Sequence, residues 1–291
     1  MITVPELIFS NGAGRDSVAV VVMQAKQLTP HYTHVFCNVG EKSENPKTLE
    51  YLENHLKPYC ERNGINFIEI QKRDAEGNAV DLWDYTLNPN TKSIPIPYYM
   101  TGSAPANRGC TVDFKVRVLN NWIKKQGYKH VRLGIGFNAD ESKRARKKPL
   151  FPIDRETHYD EKTHDWKTGR KLGFEMIYEF PLIDANINRA NVEQVILKAG
   201  LPLPPESCCV YCPFMNRNAR IEQKKHDPES YNRAVYFEKE ANAKKKRAKP
   251  NAKELFLHPD KFPLSETPDQ PSLWDLWNDE DNQCQIGHCG V

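Results

Sequence analysis

The chain has 291 residues, 39% hydrophobic and 27% charged, with a formal net charge of +3. That length allows one large domain or two modest ones, and so small a net charge does not by itself argue for a nucleic-acid partner. The longest apolar run, 18–23, is far too short to span a bilayer, and no basic leader precedes an apolar stretch at the N-terminus, so the expectation is a cytoplasmic protein without a membrane partner.

Residues 6–9 read as a short apolar strand that runs directly into SNGAGRDS. Residues 16–28 follow as a largely buried helix, apolar at Val18, Val20, Val21, Val22 and Leu28. A second strand, 34–38, leads to a helical stretch, 46–63, with a kink expected near Pro58, and then to a third strand, 65–71. This alternation predicts an α/β fold, a doubly wound and mostly parallel sheet with helices on both faces. The pattern breaks over 73–107, a Pro-, Asn- and Tyr-rich length of the kind that shapes a pocket or forms a lid. It resumes with a helix at 113–126 and a strand at 130–136, crosses the polar segment 140–173, and returns as a strand at 174–180. A helix at 189–199 is capped by Asn188 and stopped by Gly200. Beyond it come SCCVYCPF, two charge-rich helices and an irregular tail ending QCQIGHCGV. Residues 1–200 are expected to form the α/β domain, and 201–291 a smaller cysteine-containing part, helical and irregular, packed on it.

The segment from Ser10 to Ser17 lies between a strand and a helix, which makes a glycine-rich string a candidate anion site. Gly12 and Gly14 are expected to take positive φ and let the backbone approach a phosphate. The helix behind them offers free N–H groups and the positive end of its dipole. Ser10 and Ser17 add hydroxyls, and Arg15 a charge. The spacing is neither that of a Walker A loop nor GxGxxG. Arg108 and Lys115 are placed to approach phosphates held there. Glu141, just past the end of a strand, lies where ligands of open α/β sheets gather. It can orient magnesium or a nucleophile, or cap a helix. Two basic clusters, 143–148 and 244–249, either face solvent or contact a phosphate-bearing partner.

Ser10-x-Gly12-x-x-x-Asp16-Ser17 resembles the PP-loop of ATP pyrophosphatases and their phosphoadenosine phosphosulfate reductase relatives, two residues longer than the usual Ser-Gly-Gly-x-Asp-Ser. Further segments resemble that superfamily in the same order. They are NVGEKSENPKT, with Gly40, Glu41, Pro46 and Thr48; RGCTVDFK, with Arg108, Cys110, Thr111 and Lys115; GIGFNADES, with Gly136, Glu141 and Ser142; and CVYCPF. Arg144 and Arg146 flank Ala145, where the family's last arginine stands. The resemblance implies ATP with its phosphates on Gly12, Gly14 and Ser17, and Asp16 capping the helix or holding Mg²⁺. Asn38, Gly40, Arg108, Gly136 and Arg144 would line the nucleotide, and Lys115 and Glu141 would act with Asp16. The implied activity is adenylylation with release of pyrophosphate, serving sulfur transfer, with a nucleic acid or a sulfur-donor protein as possible partner.

Eight cysteines in a cytoplasmic chain point to metal or redox chemistry rather than to disulfides. Cys209-x-x-Cys212 has the spacing for two thiolates on one metal. Cys37, in a strand, and Cys60, late in a helix, read as buried, inert thiols. An iron–sulfur cluster on Cys110, Cys209, Cys212 and a tail cysteine is similar to the cluster-bearing branch of the family. A zinc site on Cys209, Cys212, Cys284 and Cys289 is the alternative. Two other functions stay open. One is reduction of phosphoadenosine phosphosulfate or adenosine phosphosulfate by Cys289, although CQIGHCG departs from the reductases' Glu-Cys-Gly-Leu-His. The other is a non-catalytic nucleotide-sensing subunit with structural zinc.

Overall fold

The computed structural model describes residues 4–102, 105–160 and 162–270. β1 (Glu6–Asn11) leads into α1 (Arg15–Ala25), buried continuously from Ser17 to Gln24, as a helix apolar nearly all round must be. After β2 (Thr33–Asn38), α2 (Pro46–Tyr51) is capped by the Asn45 side chain and passes through a π-helical turn (Leu52–Leu56) into α3 (Lys57–Arg62). Pro58 follows that turn. It has no N–H to donate and its ring crowds the preceding carbonyls, so the kink expected there takes the form of a wider turn.

β3 (Phe67–Gln71) and the short α4 (Leu82–Leu87) come next. A second interrupted helix begins as α5 (Gly109–Thr111), widens into a π-helical turn over Val112–Val116 and ends as α6 (Arg117–Lys125), so it starts ahead of residue 113. β4 (His130–Ile135) is followed by α7 (Ser142–Ala145). The polar segment 140–173 carries β5 (Ile153–Asp160) and the outer part of β6 (Asp165–Glu179), a hairpin whose inner part is the strand expected at 174–180. Its outer half, residues 165–171 of β6 included, is largely exposed, so no alternation of apolar residues announces it. α8 (Pro181–Asp184), α9 (Arg189–Leu197), α10 (Arg217–His226) and α11 (Pro228–Ala248) complete the order. Asn188 caps α9 by accepting from the Asn191 N–H.

The strands form one sheet in the order β3-β2-β1-β4-β6-β5, parallel except for β5 at the edge. On one face, α1, the α2–α3 helix and α9 bury Val18 to Met23 against Leu52, Leu56, Val192 and Ile196. On the other, Leu119 and Ile123 of α6 cover Ile8, Val35, Val131 and Leu133. The doubly wound α/β fold is therefore what the structure has.

A third apolar cluster joins Val39, Leu82, Ile96 and Phe114 to Val210, Tyr211, Phe237, Ala241 and Leu257 from the C-terminal segment. Lys244, expected among exposed cations, is instead only 3% exposed. Its ammonium donates to Thr86 O, Thr91 Oγ1 and Ser93 O at 2.7, 3.0 and 2.8 Å, tying α11 to the end of α4 and the loop after it. Among the described residues no helix is long and apolar enough to cross a membrane.

Candidate functional site

The chain runs outward from β1 to β3 and then crosses back to place β4 on the other side of β1. That reversal opens a crevice beyond the C-terminal ends of β1 and β4, the position where open α/β sheets bind ligands. The β1–α1 loop occupies it. Gly12 and Gly14 do not take positive φ; Ala13 does, at 56°. Its N–H donates to Asn11 Oδ1 at 2.8 Å, and that local bond holds the left-handed turn in place of glycine's freedom. Asn11 Nδ2 donates in turn to His34 Nδ1 at 3.2 Å, while His34 Nε2 donates to Gln24 Oε1 at 3.1 Å. Burial pushes the His34 pKa down to about 3, so this ring is a neutral strut under the loop.

Gly14 is the N-cap of α1 and supplies no side-chain cap, which leaves the first turn's N–H groups facing the crevice. Ser17 Oγ accepts from the Gly12 N–H at 3.0 Å, closing the loop on itself, and Ser10, next to last in β1, is only 7% exposed. Gly136 lies against this turn: a Cβ there would stand 3.4 Å from the Ser17 nitrogen.

Asp16 points toward Asn138, whose Nδ2 donates to its two oxygens at 3.4 and 3.3 Å. Burial, and next the charge of Glu141, push the Asp16 pKa up from 3.8 to about 6. Glu141 binds Arg144 through Oε1, and its Oε2 is buried with no hydrogen-bond partner. Two carboxyls thus converge in the crevice, one costly to ionise and one with an orphaned oxygen. Hard oxygen donors of this kind fit a divalent cation such as Mg²⁺.

Other expected residues are engaged elsewhere. Arg15 turns away from the loop to pair with Glu193 on α9. Asn38 spends its amide on the end of β2, its Oδ1 accepting from Gly40 N at 2.7 Å and its Nδ2 donating to Glu69 at 2.7 Å. Gly40 is a structural position: φ is +113°, and a Cβ would lie 2.2 Å from the Asp81 carboxyl carbon and 2.7 Å from its Cα. Gly40→Ala is expected to cost about 2–4 kcal/mol through strain and overpacking. A urea denaturation midpoint equal to wild type would show that this turn yields freely.

The cysteines gather beside the loop. Cys110, Cys209 and Cys212 line one cavity of about 440 Å³, open mouth included, together with Arg108, Lys115 and Phe214. The Arg108 guanidinium sits 5.1 Å from the Phe214 ring centroid. Ser207 links cavity and loop: its hydroxyl donates to Gly12 O, and a Cβ on Gly14 would meet its Cβ at 3.3 Å. Cys208 and Cys209 follow at once, and Val210 N donates to Ser43 O at 2.9 Å. Arg220, fully buried, braces this turn by donating to Val210 O and Cys212 O at 3.0 and 3.1 Å.

The three thiols share a cavity, yet among the described residues no three His, Cys, Asp or Glu side chains form a group that could hold a metal ion. Cys284 and Cys289, the tail ligands of either expectation, lie outside the described residues. Cys37 and Cys60 are buried thiols whose pKa values burial raises to about 12.

Sequence reasoning missed Asn11, His34, Ser207 and Arg220. Ser207 and Arg220 stand beside noticed motifs but act through main-chain carbonyls, that of Gly12 for Ser207 and those of Val210 and Cys212 for Arg220, and no residue pattern encodes such contacts. Asn138 lies inside GIGFNADES, but nothing in that string marks it as the partner of Asp16.

No family model matches the sequence, and no curated protein does. Among solved structures, the chain is similar to a phosphoadenylyl-sulfate reductase from Candida auris in its phosphate complex. Identity there is 13%, over 70% of this chain and 77% of that one, with a TM-score of 0.40. It is also similar to the U34-tRNA thiolase NcsA from Methanococcus maripaludis with its 4Fe–4S cluster, at 15% identity over 81% and 72% of the two chains and a TM-score of 0.41.

Proposed function

We propose that this chain is an ATP-using enzyme of the PP-loop type that adenylylates a substrate, releases pyrophosphate and serves sulfur transfer. The observation that carries the reading is the convergence in the β1/β4 crevice of the uncapped N-terminus of α1 with Asp16 and Glu141. Helix N–H groups and the Ser17 hydroxyl would hold the phosphates, and Asn138 would orient Asp16. Asp16 and Glu141 would hold Mg²⁺, which when bound neutralises triphosphate charge. The substrate nucleophile would attack the α-phosphorus, and the bond to the β-phosphate oxygen would break with its electron pair leaving on pyrophosphate. The thiol-lined cavity joined to the loop by Ser207 supports sulfur chemistry as the following step, with Cys110, Cys209 and Cys212 as the thiols concerned.

Calorimetric titration with ATP and magnesium tests the loop directly. The double variant Asp16→Ala/Ser17→Ala is expected to lose at least a hundredfold in affinity while keeping its circular dichroism spectrum. Unchanged affinity would remove the nucleotide from this loop.

A further inference from the structure

Beyond α7 the helical turn continues, with Lys147 N bonding Arg144 O and Lys148 N bonding Ala145 O, so Arg144 and Lys148 stand on one face a turn apart. Both rest on one aromatic cluster. The Arg144 guanidinium lies 4.2 Å from the Phe137 ring centroid and the Lys148 ammonium 5.0 Å from that of Tyr178. Phe137 stacks on Phe180, and Tyr178 packs in the same cluster. A ring face fixes a cation's position without neutralising it.

Lys148 differs from its neighbour in what it lacks. Arg144 is bound to Glu141, whereas the Lys148 ammonium has no carboxylate and no hydrogen-bond acceptor among the described residues. Burial, and then the charges of Arg144 and Arg108, bring its pKa down from 10.5 to about 8. A half-buried ammonium one turn from the Arg144 guanidinium and in the field of Arg108, with no counter-charge at its own head, suits an anion from outside the chain.

We propose that Lys148, with Arg144 and Arg108, binds a phosphate group of the acceptor substrate, a second anion distinct from the triphosphate on the loop. The placing suits an acceptor. Arg144 is tied to Glu141 and through it to the carboxyls at the loop, while Arg108 lines the thiol cavity. An anion held across them would lie between the nucleotide and the thiols. The assignment to an acceptor rests on the ATP-dependent reading above; the anion site itself does not.

The test titrates inorganic phosphate into the full chain already saturated with a non-hydrolysable ATP analogue. One phosphate per chain is expected for wild type. Lys148→Met should weaken it at least tenfold, Lys148→Arg should hold it within threefold, and neither should change analogue affinity. Lys148→Gln replaces Lys148→Met should the latter not fold. Equal phosphate affinity in wild type and Lys148→Met overturns the proposal. A parallel loss of analogue affinity overturns it too, because the cations would then serve the triphosphate. A chain that ignores the analogue but binds phosphate through Lys148 would sink the nucleotide reading and leave the anion site standing. Competition by a short single strand without terminal phosphates would identify a backbone diester, and competition by a 5′-phosphorylated nucleoside alone a monoester.

Discussion

Replacing Asp16 by Asn is expected to stabilise the fold while ending its chemistry. The folded protein holds the Asp16 carboxyl at a pKa of about 6, against 3.8 for an unperturbed group. Between those values the folded state binds the proton that the unfolded chain has released, so stability contributed by this residue falls as pH rises from 4 to 6 and stays low above. About two pKa units correspond to roughly 3 kcal/mol of unfavourable ionisation at neutral pH. Asparagine keeps an oxygen to accept from Asn138 Nδ2 and carries no charge, so it escapes that cost. Denaturation of Asp16→Asn at pH 8 should show a gain on the order of 2 kcal/mol that shrinks toward zero at pH 4. ATP turnover should fall by a factor of about a hundred or more, as for loss of a transition-state charge contact. A variant no more stable at pH 8 than wild type would mean the carboxyl is already neutralised or solvated. Full turnover would take Asp16 out of the reaction.

The second large effect is expected at Arg220. Truncation to Ala removes one of two donors from each of Val210 O and Cys212 O, which keep Gln223 Nε2 and Met215 N, and opens a hole where a fully buried side chain stood. Each lost charge-assisted hydrogen bond costs about 1.5–3 kcal/mol, and the cavity adds to that, while relief from burying a charge offsets part. A net loss of about 3 kcal/mol is expected in chemical denaturation. The same change frees the Cys209–Cys212 turn, so Cys212, now 6% exposed, should react with a thiol reagent at least tenfold faster. Wild-type stability with unchanged labelling would show that other contacts hold the turn.

These two residues mark what the sequence reveals and what it hides. Asp16 stands in a strand–loop–helix context that can be read directly from SNGAGRDS, and Glu141 follows a readable strand. Such features are local, set by short-range periodicity and turn chemistry. The order of strands around β1, which brings Asp16 and Glu141 together, follows from the alternation that predicts a doubly wound sheet. Arg220 looks like one more cation on a charge-rich helix, because its burial depends on Val210 and Cys212 folding back over it. Lys244 misleads in the same way, and so does Arg15, drawn off by Glu193 far along the chain. The αL turn at Ala13 was assigned to its glycine neighbours because composition shows where freedom exists, and a side-chain hydrogen bond from Asn11 supplied it elsewhere. β5 and the outer half of β6 are not legible for want of a buried face there, whereas the inner half of β6 is the strand read at 174–180.

The widened turn over Val112–Val116 sets a register for everything N-terminal to it. A π turn is an α-helix with one residue too many, and helices tolerate its removal. Excising one residue from this turn would swing the preceding segment by roughly 100° about the axis relative to α6. Cys110 would then leave the cavity wall that it shares with Cys209 and Cys212, although no side chain of the cavity had been altered. Length, rather than residue identity, is therefore what this stretch of chain must conserve if the cavity is to keep all three thiols.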